Sequence, residues 1–149
     1  MTRVTHGLQV ESIVNVPREQ AFRAWTEPEH LQQWYRPSAD WRILVTEVDL
    51  TVGGKYRFGF SSPEGESFYE VGEYREISPA QRLIFTCRFE GAFDEQLEET
   101  LSVINFDDLG DKTRIGLATH GYLRAEDRDG HQRGWPSFLE QLGHYLDQR

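Results

Sequence analysis

Residues 8–16 alternate between apolar and polar side chains at Leu8, Val10, Ser12 and Val14, with further apolar residues at Ile13 and Val16. Alternation of this kind sets one face of an extended chain on a core, so the segment predicts a half-buried strand. Pro17 closes it. Proline suits the first turn of a helix, where its missing N–H would be unpaired anyway. Ala21, Phe22 and Trp25 follow at helical spacing, which predicts a short amphipathic helix over 17–25. The run Thr26-Glu27-Pro28-Glu29 has the form of a capping box, with Thr26 as N-cap, Pro28 in the first turn and Glu29 reaching back, ahead of Leu31 and Trp34. A second helix is therefore expected there, ended by Pro37.

From residue 41 to 119 the period becomes two, broken by turn chemistry at Gly53-Gly54, Ser62-Pro63-Glu64-Gly65, Ser78-Pro79, Glu90-Gly91 and 107–111. Six strands are expected, at about 41–50, 55–61, 68–77, 82–89, 97–106 and 113–119. Connections this short join antiparallel neighbours, so the strands form a meander. Tyr56, Phe58 and Phe60 share one face of their strand opposite Lys55 and Arg57, and Leu83, Phe85, Cys87 and Phe89 share a face of theirs. The tail switches period again: Trp135, Phe138, Leu139, Leu142, Tyr145 and Leu146 recur at three and four, opposite Glu140, His144 and Asp147. That is a C-terminal helix whose apolar stripe needs a sheet to cover. The whole pattern predicts an α+β fold with an antiparallel sheet and helices on one side of it.

Composition narrows the function classes. A length of 149 residues suits one domain over 1–149. Aromatic residues make up 13% of a chain with 28% charge, so a few large rings must fill the interior. The longest apolar stretches, such as 43–45, fall far short of the roughly 18 residues a spanning helix needs. Residues 1–16 show no basic segment followed by an apolar one, so no signal peptide is expected and the cytoplasm is the default compartment. The net charge of −9, with its basic residues scattered, argues against nucleic acid as a partner. Cys87 is the single cysteine, which forbids an internal disulfide and reads as a buried, inert thiol.

Few residues announce chemistry. His6, His30, His131 and His144 form no chelating pattern, and no metal or redox cofactor is expected. Ser61-Ser62 lies in a hairpin tip without the second glycine of a nucleophile elbow, and Gly53-Gly54 precedes a strand, as a bend rather than a phosphate loop does. Glu90, Asp94, Glu95, Glu98 and Glu99 read as a solvated hairpin rim. His120 follows a strand end; it either anchors that end or presents its imidazole to a ligand. Glu70 and Glu73 lie on opposite faces of one strand, so one points inward, and Arg75 or Arg57 is the expected partner of that carboxylate. The rings of Trp41, Tyr56, Phe58, Phe60, Tyr69, Tyr74, Phe85, Trp135 and Phe138 are the strongest signal. They either fill a solid core or, with Leu142, the tyrosine hydroxyls and His120, line an apolar pocket. Periodicity does not choose between the two.

The ordered set Val16-Pro17, Ala24-Trp25-Thr26, Leu31 with Trp34, Gly53-Gly54-Lys55-Tyr56, Gly72-Glu73-Tyr74, Pro79 with Arg82-Leu83, Thr113-Arg114, His120-Gly121-Tyr122 and Gly134-Trp135 resembles one superfamily. It is similar to the START/polyketide-cyclase-like (SRPBCC) group, specifically to homologues of the activator of heat-shock protein 90 ATPase, over about residues 8–146. The resemblance implies a helix-grip fold: a curved, seven-stranded antiparallel sheet around a long C-terminal helix, with two small helices after the first strand. It also implies a cavity between helix and sheet that often holds an apolar small molecule, and it transfers no catalytic residue. Pro136 departs from the family pattern, because family helices usually run through the Gly-Trp pair and a proline there removes a backbone donor. Either the helix begins near Gly134, with Pro136 in its first turn, or it bends.

Three functions follow as expectations. The first is a protein that binds an apolar or aromatic small molecule between its C-terminal helix and its sheet. The second is a cyclase- or hydrolase-type enzyme using His120 or an inward Glu. The third is an interaction protein with a chaperone, or a second copy of the chain, as partner. None requires a metal or a disulfide, so EDTA and reductant should leave the melting temperature unchanged; a fall of more than a few degrees with EDTA, reversed by zinc, would contradict this.

Overall fold

The computed structural model describes residues 5–91 and 99–148. Seven strands, β1 (His6–Val14), β2 (Arg42–Val48), β3 (Lys55–Ser61), β4 (Ser67–Ser78), β5 (Arg82–Gly91), β6 (Thr100–Asp108) and β7 (Thr113–Tyr122), form one sheet. Its order is β1-β7-β6-β5-β4-β3-β2, antiparallel throughout. The meander of β2 to β7 is thus completed by β1, which returns beside β7. Helices α1 (Arg18–Thr26) and α2 (Pro28–Trp34) follow β1, and α3 (Ala125–Asp147) closes the chain. This is the α+β fold the alternation implied, in the helix-grip form the resemblance implied. The part of the expected sixth strand at 97–98, and Asp94, Glu95 and Glu98 of the acidic rim, lie outside the described residues.

One local expectation is corrected and one open alternative is decided. Thr26 is not an N-cap: its hydroxyl donates to the Phe22 carbonyl at 2.9 Å, so it ends α1, and Glu27 takes the cap of α2 without a side-chain hydrogen bond. The hydroxyl is buried, and the carbonyl one turn back is the nearest acceptor. Helix α2 then stops at Trp34, before Pro37 is reached. The C-terminal helix does not begin at Gly134; it is already under way from Ala125, with Pro136 inside it. Proline removes one N–H there, and the helix holds because tertiary contacts tie down its first half. Arg128 donates to the Gly7 carbonyl at 3.0 Å, His131 pairs with the Tyr122 hydroxyl at 2.7 Å, and Trp135 is buried.

The core lies between the sheet and the helices. From α3, Trp135, Leu139, Leu142 and Leu146 form a buried stripe at spacings of four, three and four. From the short helices, Phe22, Trp25, Leu31 and Trp34 are buried. Trp25 stands edge-on to Trp34 at 5.0 Å and to Phe106 at 6.5 Å, and lies tilted against Trp135 at 6.4 Å, so one indole joins both short helices, the sheet and α3. The Trp34 Nε1–H donates to the Ala24 carbonyl at 2.8 Å, and His30 Nδ1 lies 2.7 Å from the Tyr145 hydroxyl, fastening α2 to α1 and to α3. Strand β3 alternates as expected, with Tyr56, Phe58 and Phe60 buried and Lys55 and Arg57 exposed. No helix among the described residues is long and apolar enough to cross a membrane.

Leu142 is fully buried at the centre of this arrangement. Replacing it with Ala should lower stability by about 2–5 kcal/mol in chemical denaturation; a change under about 0.5 kcal/mol would place the helix elsewhere.

Candidate functional site

A pocket of about 170 Å³, open to solvent on one side, lies between α3 and the sheet. Its sheet side is Phe60 of β3, Phe68 and Glu70 of β4 and Phe89 of β5; Tyr35, just after α2, closes one end. Antiparallel register explains the sheet side, since Phe60 pairs with Phe68 and Glu70 with Phe89. The other wall is α3, through Gly130, His131, Gly134, Trp135 and Phe138. Gly130, Gly134 and Phe138 succeed one another at four-residue spacing and so share a face of the helix. A Cβ built on either glycine would meet no atom within 4 Å, so two successive turns of that face leave the helix side of the pocket open.

The expected site residues divide into groups. Phe60, Trp135 and Phe138 line the cavity. Trp41 packs beside it, on Phe60 at 5.8 Å and Phe68 at 5.5 Å. Tyr56, Phe58, Tyr74 and Phe85 surround a second gap of only about 10 Å³, the space of a single water, so here the rings form solid packing. Leu142 belongs to the buried stripe two turns beyond Trp135. His120 stands outside the cavity, exposed on the other side of the sheet. Ile115, Leu117 and Thr119 point inward on β7, so the next residue points out. Gly121, at a φ of 106°, then turns Tyr122 inward, and Tyr122 bonds to His131. The histidine at the cavity is therefore His131, whose ring also lies 4.7 Å from that of Phe89. Its signal was present: it precedes Trp135 by one helical turn. Pro136 obscured that by suggesting a later helix start.

Glu70 is the inward carboxyl of β4 and is 1% exposed. Its partners are not arginines. Arg57 and Arg75 occupy odd positions on the outer face, Arg57 over the Tyr69 ring at 4.4 Å and Arg75 3.9 Å from Glu73. Instead the Tyr35 hydroxyl donates to Glu70 Oε1 at 2.6 Å, and the Tyr56 hydroxyl lies 2.8 Å from Oε2 and 2.9 Å from the Thr86 carbonyl oxygen. Gly72 makes this possible: a Cβ there would fall 1.9 Å from the Thr86 oxygen and 2.6 Å from the Tyr56 ring. Burial raises the Glu70 pKa above the usual carboxylate value, against the opposing pull of hydrogen bonds from Tyr35, Tyr56 and Cys87. Burial likewise raises Tyr35, Tyr56 and Cys87. These groups favour the neutral form, and the set can donate or accept a proton beside an apolar pocket.

A larger open groove of about 440 Å³ follows the opposite side of the sheet between Lys55, Arg57 and Arg88 on one hand and Glu47, Glu73, Glu90 and Glu99 on the other. Its charges alternate in sign and neighbours pair, as Arg88 does with Glu90 at 3.2 Å, which is the behaviour of a solvated face.

Solved structures share this architecture. A crystal structure of a Nitrosomonas europaea protein superposes with a TM-score of 0.79 at 27% identity, covering 95% of this chain and 94% of that one. One from Chromobacterium violaceum gives 0.81 at 25%, covering 94% and 96%. The Silicibacter pomeroyi AHSA1 protein gives 0.83 at 22%, covering 95% and 98%, a likeness of fold. No curated protein matches the chain. The family model described as "Activator of Hsp90 ATPase homolog 1-like protein" matches residues 15–147, from just after β1 to the end of α3, and the chain belongs to that family.

Proposed function

We propose that this protein binds a small, largely apolar ring compound between α3 and the sheet. The observation that carries this reading is the 170 Å³ cavity walled almost entirely by carbon, with one acid, Glu70, in its wall. A pocket of this volume matches one aromatic ring, which sets the expected scale of the occupant. Membership of a family whose fold is compatible with a ligand pocket between helix and sheet supports the same reading. The exposed large apolar residues support a partner surface less well: Ile13, Leu44, Val52, Leu101 and Leu109 are spread over different strands and turns.

The test uses the glycines. Leucine at Gly134 would find no atom within 4 Å of its Cβ and would occupy space on the cavity wall. It also improves helix propensity by roughly 0.5–1 kcal/mol. A thermal-shift screen of monocyclic aromatic compounds, confirmed by calorimetry, should therefore yield binders of the parent that Gly134→Leu no longer binds, while the variant melts no lower than the parent. Failure of every compound to stabilise the parent, or unchanged binding to the variant, would reject the site.

A further inference from the structure

The cavity carries one acid whose bonded partners are neutral. Around Glu70 stand Tyr35 from the end of α2, Tyr56 from β3, Tyr74 on its own strand and Cys87 from β5. His131 faces the same space from α3, bonded to Tyr122. No guanidinium or ammonium group of the described residues bonds to Glu70; Arg57 and Arg75 are engaged outside. The hydrogen count is informative. Tyr56 has one hydroxyl hydrogen but two acceptors in reach, Glu70 Oε2 at 2.8 Å and the Thr86 carbonyl at 2.9 Å. A proton on Oε2 satisfies every group: Glu70 donates to the Tyr56 oxygen, Tyr56 to Thr86, and Tyr35 to Oε1. The carboxyl is then neutral, as its burial requires.

We propose, on the basis of the ligand-binding reading above, that the cavity takes a small aralkyl ammonium ion, its ring in the apolar space and its charge matched by Glu70. On binding, the Glu70 O–H bond breaks and the proton passes to solvent. The carboxylate accepts an N–H from the ammonium, and Tyr56 turns its hydrogen toward Oε2. One positive charge enters and one leaves, so the site is neutral before and after. A carboxylate alone would be costly here, and the ligand supplies the cation that the described residues do not. The net charge of −9 draws cations toward the protein and disfavours phenolates and carboxylates of the same size.

Proton release sets the sign of the pH dependence. Below the raised Glu70 pKa of the free protein, affinity for the ammonium rises by up to about tenfold per pH unit, whereas a neutral isostere binds independently of pH. The experiment is calorimetry of the whole protein with benzylamine and with benzyl alcohol, at one pH in two buffers of different ionisation enthalpy and then across pH. Benzylamine should bind at least about tenfold tighter, with a buffer-dependent enthalpy reporting up to one proton released. Glu70→Gln imitates the neutral acid, since its amide can accept from Tyr35 and donate to Tyr56. The variant should lose both the amine preference and the proton release. Equal binding of the two compounds without proton exchange, or benzyl alcohol alone binding, would overturn the ammonium proposal and leave the cavity reading standing. Proton release persisting in Glu70→Gln would assign it to another group, such as His131, and overturn it as well. Binding of neither compound would overturn both. The buffer and pH measurements use the unaltered protein, so they decide the matter even if the variant fails to fold.

Discussion

Burial of the sheet's inner face beneath α3 is the constraint on which the other features depend. The inner face is rich in rings and cannot stay in water, and α3 is the element long enough to cover it. The helix comes closest to β1, at one edge of the sheet, and also touches β7 and α2. Toward β3–β5 the space is bridged by Tyr35, Phe60 and Phe138, with Phe138 5.1 Å from Tyr35 and 5.6 Å from Phe60. Large rings spanning a widening gap pack imperfectly, and the cavity sits where they fall short.

The wall of that cavity is also the least helical part of α3. Gly130, Gly134 and Pro136 fall within two turns, and each is unfavourable in a helix interior. The segment stays helical through long-range contacts: Arg128 to the Gly7 carbonyl, Gln132 to the Gln9 carbonyl, His131 to Tyr122, and the buried Trp135. Beyond Pro136 the stripe of Leu139, Leu142 and Leu146 anchors the rest of the helix. The same helix thus combines a tightly packed half with a half whose small residues leave space, and local opening would be concentrated in the latter.

Glu70 adds an electrostatic condition. A buried carboxyl without a cationic partner is tolerable when it is neutral and hydrogen-bonded, and three separate segments supply those bonds through Tyr35, Tyr56 and Cys87. Gly72 is tied to this arrangement because any side chain there would strike the Tyr56 ring or the Thr86 carbonyl. The short residue and the buried acid are therefore one feature of β4, reaching from the outer groove side of Tyr56 to the cavity wall.

The order of elements, the antiparallel meander and the inward rings of β3 and β5 were legible in the sequence, because periods of two and of three to four are local properties of the backbone. That one of Glu70 and Glu73 must turn inward was legible for the same reason. Its partners were not, since Tyr35 and Tyr56 lie 35 and 14 residues away and only the packed sheet brings them to it. Local rules also misplaced Thr26 and left the start of α3 open, where a buried hydroxyl and long-range contacts override capping and proline preferences. His120 and His131 could not be sorted by composition, because Gly121 alters the alternation at the strand end. Whether the rings close into a solid core or leave a void was decided by tertiary structure alone. A cavity is a difference between the volume two surfaces enclose and the volume their side chains occupy, and no single stretch of sequence contains both terms.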